Sequence, residues 1–176
     1  MHRAGWHPLT VAALEEFNQL PADQAVQVLR VCNAAPRFTA EVAAGRPYPD
    51  TAALVARAEQ VARALPWAEV EVALAGHPRI GDRVAGSSAE ARSSRREQGS
   101  MRDADAELRA ALVEGNEAYE RRFGHVFLIR AAGRSPEEML AELRRRLGND
   151  AEAERAEVTE QLAQITGLRV RELIER

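Results

Sequence analysis

The chain has 176 residues, of which 45% are hydrophobic, and its formal net charge is -3. A chain of this length can bury roughly 70% of its unfolded surface, so we expect one compact domain that spans residues 1–176. The acidic balance argues against a nucleic-acid partner, because binding to phosphates needs a cationic surface.

Several chemistries are excluded by missing residue types. All 24 basic residues are arginines, so lysine Schiff-base catalysis and a lysine-dependent phosphate loop are impossible. The single cysteine, Cys32, cannot form an internal disulfide or a cysteine metal cage. The sequence has neither an apolar run of transmembrane length nor a signal-peptide pattern at its start. We therefore expect a cytoplasmic protein with no membrane partner.

The first half of the chain reads as a series of short helices. Residues 1–8 are predicted as a loose N-terminal arm, and amphipathic helices are predicted for residues 9–19, 21–32 and 37–44. A longer helix begins at a cap, Asp50 or Thr51. Its apolar residues recur at helical spacing and are Leu54, Ala58, Val61 and Leu65. Pro66 and Trp67 open the next helix, which is expected to run into Gly76.

The second half also favours helices. After a polar stretch that could be a loop or a short helix, a long helical region carries Leu108, Leu112, Tyr119 and Phe123, with weak points at Gly99 and Gly115. Residues 126–129 are an extended or helical core segment. Ser135-Pro136-Glu137-Glu138 is a strong helix start, with Gly148 as the end, and Asn149 begins the terminal helix. The predicted fold class is all-α, with little or no sheet.

A histidine is placed on a rigid corner after the fifth predicted helix. Gly76 favours the left-handed conformation that often ends a helix. Pro78 moves His77 out of the helical region and removes a backbone donor. His77 is thus a candidate titratable group of a pocket, although it could also be a histidine in an ordinary turn.

Ser94 and Glu97 have the S-x-x-E spacing of a capping box, in which each side chain pairs with a free backbone donor at a helix start. In the functional interpretation, the same helix N-terminus favours an anionic ligand. Glu97 could also pair with His77 and set its charge. The structural and functional interpretations are compatible.

The remaining histidines give weaker indications. His125 lies between aromatic residues, which favours a role in a wall or core, and His2 and His7 fall in the predicted arm. We predict no metal site, because no histidine pair or carboxylate cluster has ligand spacing.

The last helix places an arginine on its apolar side. Val158, Leu162 and Ile165 form a stripe, and a further step of four reaches Arg169. Arg171 faces roughly the opposite way, about 200° around the helix. A guanidinium directed inward needs an anionic or hydrogen-bonding partner. The partner could be a core carboxylate, or a substrate carboxylate or carbonyl.

Several separate stretches together resemble the OHCU decarboxylase family. Its members convert 2-oxo-4-hydroxy-4-carboxy-5-ureidoimidazoline (OHCU) to S-allantoin in uric acid breakdown. The matching stretches follow one another through most of the chain: Phe17 with Leu20-Pro21, Arg46-Pro47-Tyr48, Gly76-His77-Pro78, Ser94-x-x-Glu97-Gln98, Asn116-x-x-Tyr119-x-x-x-Phe123-Gly124-His125-x-Phe127, Arg146-Leu147-x-Asn149-Asp150-x-x-x-Glu154, and Ile165-x-x-Leu168-Arg169.

The resemblance implies an all-helical lyase of purine degradation that is commonly dimeric and needs no metal or organic cofactor. The catalytic residues that it implies are His77 and Glu97. The substrate-binding residues that it implies are Pro78, Ser94, Gln98, Ile129 (through its backbone) and Arg169.

Two departures from the family pattern are visible. The family often has an acidic residue after the histidine-proline pair, where this chain has Arg79-Ile80-Gly81. It often has a glutamate in the early segment, where Cys32-Asn33-Ala34 stands. The first departure lies beside the expected site and bears on substrate geometry.

The alternative is a non-catalytic helical module that binds other proteins. In that case His77 is a turn residue, Ser94 and Glu97 only cap a helix, and Arg169 makes a structural ion pair. Convergence of His77, Glu97 and Arg169 in one pocket would favour the enzyme.

Overall fold

The computed structural model describes residues 13–81, 89–97, 99 and 104–175, and for residues 89, 90, 94 and 97 it describes the backbone alone. Within these ranges the chain forms nine α-helices and no strand. This confirms the predicted all-α class. The helices are α1 (Leu14–Gln19), α2 (Ala22–Leu29), α3 (Pro36–Ala44), α4 (Thr51–Arg63), α5 (Trp67–Leu74), α6 (Ala89–Glu97), α7 (Ala106–Phe123), α8 (Pro136–Arg146) and α9 (Ala151–Ile174).

The larger part of the core lies around the packed pair α4 and α9, with α2 and α3 beside them. The predicted stripe of α4 is buried, from Leu54 at 0% exposed to Leu65 at 7%. The stripe of α9 is buried as well, since Val158 and Leu162 are both 0% exposed. Apolar residues at helical spacing therefore bring the first and last parts of the chain together.

A second cluster joins α7, α8 and the extended segment of residues 126–131. Gly115, predicted as a weak point, lies inside α7, and a Cβ there would be 2.6 Å from Leu143 Cδ2. The glycine therefore allows α7 and α8 to approach closely. Phe127, Leu128 and Ile129 are all buried, so the segment is an extended part of the core.

Short polar side chains begin the longer helices. Asp50 accepts a hydrogen bond from Ala53 N at 2.7 Å. Ser135 and Glu138 form the predicted capping box of α8. Asn149 was expected to begin the terminal helix, but Asp150 caps α9. The amide of Asn149 instead donates to Glu154 at 2.8 Å, which removes it from the cap position.

Some predicted helix bounds were wrong. Helix α2 ends at Leu29 instead of residue 32, because the chain turns there and Cys32 N–H donates to Leu29 O at 2.9 Å. Helix α8 ends at Arg146, two residues before the predicted end at Gly148. The chain continues there in a tighter turn, in which Gly148 N–H donates to Arg145 O at 3.0 Å. The predicted arm and the first residues of helix 9–19 lie outside the described residues.

One matching stretch has a structural role. The guanidinium of Arg46 donates to Phe17 O at 2.8 Å and to Leu20 O at 2.6 Å. Tyr48 O–H donates to Val42 O at 2.7 Å. The two bonds of Arg46 hold α1 against the chain that leaves α3.

Among the described helices, none is both long and apolar enough to cross a membrane.

Candidate active site

His77 lies in the turn that follows α5, as predicted. Its N–H donates to Leu74 O at 2.9 Å, and Pro78 follows it outside the helix. The ring is partly buried, and no described residue forms a hydrogen bond with it. Gly76 does not adopt the predicted left-handed conformation; Gly81 does, with φ of 90°. The helix closes through right-handed Ala75.

The far side of this corner is attached to α7. Arg79 donates to the two carboxylate oxygens of Glu120, at 2.6 and 2.7 Å. Asn116, which is 2% exposed, donates from Nδ2 to Ile80 O at 2.9 Å. An arginine therefore has a carboxylate partner on α7 at the position where the related family often has an acidic residue. The loop beside His77 is held by two independent contacts.

Arg169 is directed into the protein, as the periodicity of α9 predicts. It is 6% exposed, whereas Arg171 is exposed and pairs with Glu175 at 3.4 Å. Burial, and secondarily the positive charge of Arg169, lower the pKa of His77 to about 3. Two predicted site residues that are far apart in the sequence thus share one electrostatic environment, and the imidazole is neutral at pH 7.

The S-x-x-E segment does not form the predicted capping box. Helix α6 begins at Ala89, so Ser94 lies within it and Glu97 is its last residue. The prediction of an anion site at a helix N-terminus was wrong for the same reason. Ala89 and Ala91 favour helix upstream, and a spacing of three also places two residues on one helix face. The side chains of Ser94 and Glu97, and all of Gln98, lie outside the described residues.

Helix α6 nevertheless lies near the end of α9. Arg96 Nη2 is 3.4 Å from Glu172 Oε2. Glu172 follows Arg169 by three positions, about one turn of helix. This ion pair brings the helix that carries Ser94 and Glu97 close to the helix that carries Arg169.

Ile129 lies in the extended segment, and its side chain is 3% exposed. Arg146 Nη1 donates to Leu128 O at 2.8 Å, and Arg130 N–H donates to Gln161 Oε1 at 2.8 Å. Among the described residues, the backbone N–H and C=O of Ile129 have no hydrogen-bond partner.

His125 is part of an aromatic wall, in agreement with the prediction. Its ring centroid lies 5.2 Å from that of Trp67 and 5.5 Å from that of Tyr119. Its Nδ1 is 3.1 Å from Val126 O. The ring thus fills space between α5 and α7.

The sequence analysis missed a buried polar cluster. Arg146 and Glu154 are 1% and 0% exposed and form an ion pair at 2.5 Å. Tyr119 O–H also donates to Glu154, and burial together with this carboxylate raises the pKa of Tyr119. A signal was present, since Arg146 follows Leu143 by three and Glu154 precedes Val158 by four. Both charged residues therefore lie on the apolar faces of their helices.

The described residues give little support for a metal site or for a second binding site. In the ranges that the structure describes, no three histidine, cysteine, aspartate or glutamate side chains are placed to hold a metal ion. A surface groove between α2 and α3 is lined by Asn18, Ala22, Val26, Ala40, Ala43, Ala44, Arg46 and Pro47. None of these is a predicted site residue.

The sequence and the fold both match known proteins. The sequence model of the OHCU decarboxylase family matches residues 18–171. A 2-oxo-4-hydroxy-4-carboxy-5-ureidoimidazoline decarboxylase from Amia calva is 30% identical over 165 residues, covering 92% of this chain and 94% of the relative.

Two solved structures have a similar fold. A crystal structure of OHCU decarboxylase in the presence of (S)-allantoin has a TM-score of 0.71 at 24% identity, covering 84% of this chain and 96% of the other. A crystal structure of (S)-allantoin synthase has a TM-score of 0.67 at 15% identity, covering 92% of this chain and 54% of the other. The match to the family model extends over nearly the whole chain, and this chain belongs to the OHCU decarboxylase family.

Proposed function

We propose that this protein decarboxylates OHCU to S-allantoin in uric acid degradation, without a metal or organic cofactor. Family membership supports the reaction, and the electrostatic effect of Arg169 on His77 supports the position of the site. We further propose a single catalytic domain that acts as a cytoplasmic homodimer and binds a small ureidoimidazoline instead of nucleic acid or membrane.

Arg169 is proposed to hold the substrate carboxylate or ring carbonyl. Arg169 is 6% exposed as a whole residue, so an anion beside it is screened little by water. A planar guanidinium also offers two parallel donors to a carboxylate. Pro78, Ser94, Gln98 and the Ile129 backbone are assigned, by their positions in the family motifs, to the same pocket.

The reaction needs an electron sink and a proton donor. When the bond between C4 and the carboxylate breaks, CO2 leaves and the electron pair forms a double bond from C4 to C5, while the electrons of the ring C5=N bond move onto nitrogen. The result is an enol-like intermediate that keeps the C4 hydroxyl. A proton then adds from one face to C5, the carbon that carries the ureido group, while the C4 hydroxyl loses its proton and becomes a carbonyl. This gives one enantiomer of allantoin. Donors fixed near the developing negative charge stabilise the intermediate.

His77 is assigned as the acid–base group, with Glu97 as its partner in catalysis. In the free protein the imidazole is neutral because burial and Arg169 lower its pKa to about 3. A substrate anion bound to Arg169 offsets that positive charge and raises the pKa of His77. Burial, the larger cause of the low pKa, is unchanged by this, so the bound anion favours the protonated imidazole relative to the free protein without making it the main form. The protonated imidazole can deliver its proton to the intermediate.

The direct experiment supplies freshly generated OHCU to the purified, exhaustively chelated protein and follows the optical activity of the allantoin formed. The proposed enzyme forms S-allantoin faster than the uncatalysed decay, which gives a racemate. A racemic product at the uncatalysed rate would instead support a helical module that binds other proteins.

A further inference from the structure

Two side chains hold the backbone on either side of Ile129. Arg146, from α8, bonds to the carbonyl oxygen of Leu128, and Gln161, from α9, bonds to the N–H of Arg130, each at 2.8 Å. The extended segment is therefore fixed by two helices at adjacent peptide groups.

Each of these bonds also orients one polar group of Ile129. The carbonyl of Leu128 and the N–H of Ile129 belong to one planar trans peptide, in which they point in opposite directions. The carbonyl of Ile129 and the N–H of Arg130 are related in the same way. The donor and the acceptor of Ile129 are thus directed away from Arg146 and Gln161.

The two oriented groups are not used within the described part of the chain, where neither has a hydrogen-bond partner. Buried backbone groups are nearly always paired, and Ile129 is only 3% exposed. A donor and an acceptor left unpaired in a rigid, buried segment are suited to a ligand.

The anchor at Leu128 is itself rigid. The guanidinium of Arg146 is paired with Glu154 and lies 4.6 Å from the ring centroid of Phe127. Glu154 is held in turn by Tyr119 and by Asn149. Arg146 therefore has little freedom to move, and the peptide that it holds has equally little.

We propose that Arg146 and Gln161 are positioning residues, which direct the Ile129 N–H and C=O toward the substrate without touching it. This inference rests on the proposed function, in which the Ile129 backbone contacts OHCU. It gives the buried ion pair of α8 and α9 a role in the reaction as well as in the fold.

Gln161 offers the cleaner test, because substitution of Arg146 breaks a buried ion pair and endangers folding. Gln161→Leu removes the acceptor for Arg130 N–H, while Gln161→Glu retains a side-chain oxygen. Gln164→Leu is the matched control, since Gln164 lies on the same helix and bonds to Glu160 at 3.0 Å.

We expect Gln161→Leu to lower kcat/KM for fresh OHCU by about tenfold or more, since small misplacements at an active site can cost up to about a hundredfold. Gln161→Glu should restore most of the loss, and Gln164→Leu should stay close to wild type. The melting temperatures of Gln161→Leu and Gln164→Leu should be similar.

Three results would overturn the inference while the proposed function stands, provided that the wild-type protein forms S-allantoin. These are a near-normal kcat/KM for Gln161→Leu, an equal loss in Gln164→Leu, or no recovery in Gln161→Glu. A wild-type protein without activity would overturn the proposed function, and the positioning role with it.

Discussion

The positive charge of Arg169, on the last helix, acts on the imidazole of His77 at the end of α5. Burial is the larger cause, and together they lower the pKa of His77 to about 3, from 6.5 for an ordinary histidine. A group of this kind is a neutral base in the free protein and gains a proton only when its surroundings change.

The first prediction concerns pH. Because kcat/KM reports the ionisation of the free enzyme, we expect its pH profile to show no loss of activity from protonation of His77 between about pH 5 and 8. Nuclear magnetic resonance of the imidazole should show a neutral ring through this range.

The Arg169→Leu variant provides the control for the sign of this effect. A nearby cation disfavours the protonated imidazole, so its removal should raise the pKa of His77. A wild-type His77 that titrates near 6.5, or an unchanged pKa in the variant, would contradict the assignment.

The second prediction compares two arginines of α9. Arg169→Lys keeps the charge but loses the planar pair of donors, so we expect a much larger loss of activity than in Arg171→Lys. Circular dichroism and the melting temperature should change little in either variant. Equal activity losses would count against Arg169 as a substrate contact, and a large loss of stability with normal turnover would indicate a structural ion pair.

The third prediction concerns the Arg79–Glu120 pair. The side chains are 42% and 24% exposed, so Glu120→Gln should lower the free energy of unfolding by no more than about 1 kcal/mol. Activity should fall more than this loss explains, because the pair holds the loop beside His77. Glu117→Gln, on the same helix, is the control, since its ion pair with Arg121 is long, at 3.9 Å. Equal turnover in the two variants would show that the Arg79–Glu120 ion pair does not influence the active site.

The fourth prediction concerns the buried pair of Arg146 and Glu154. Glu154→Gln leaves the buried guanidinium with only the more distant carboxylate of Glu157, at 3.9 Å. We expect a loss of about 3 kcal/mol in the free energy of unfolding, measured with urea. The double variant Arg146→Met/Glu154→Leu should recover much of that stability.

Glu152→Gln, at an exposed position of the first turn of α9, should change the free energy of unfolding little. If Glu154→Gln were as stable as this control, the ion pair would not be the interior contact that its geometry indicates.

The parts of the fold that depend on local chemistry were predictable. The Ser135-Pro136 start of α8 has the predicted capping box. Arg169 is buried because it continues the helical spacing of the apolar stripe of α9. The corner at His77 follows from the proline beside it.

Other features depend on neighbours that a local pattern does not contain. A spacing of three describes a capping box and the interior of a helix equally well, so Ser94 and Glu97 were placed at the wrong end of α6. The extended residues 126–131 are held by side chains from later in the chain, since Arg146 donates to Leu128 O and Gln161 accepts from Arg130 N–H.

Stereoselective turnover by His77→Asn tests the central claim most directly. Asparagine keeps a polar planar group but does not titrate near neutral pH, and a residue at a corner contributes little to the core. We expect the rate of S-allantoin formation to fall by at least about a hundredfold, as for loss of an acid–base group, with the helical circular dichroism unchanged. Turnover near the wild-type rate, with S-allantoin as the product, would remove His77 from the mechanism.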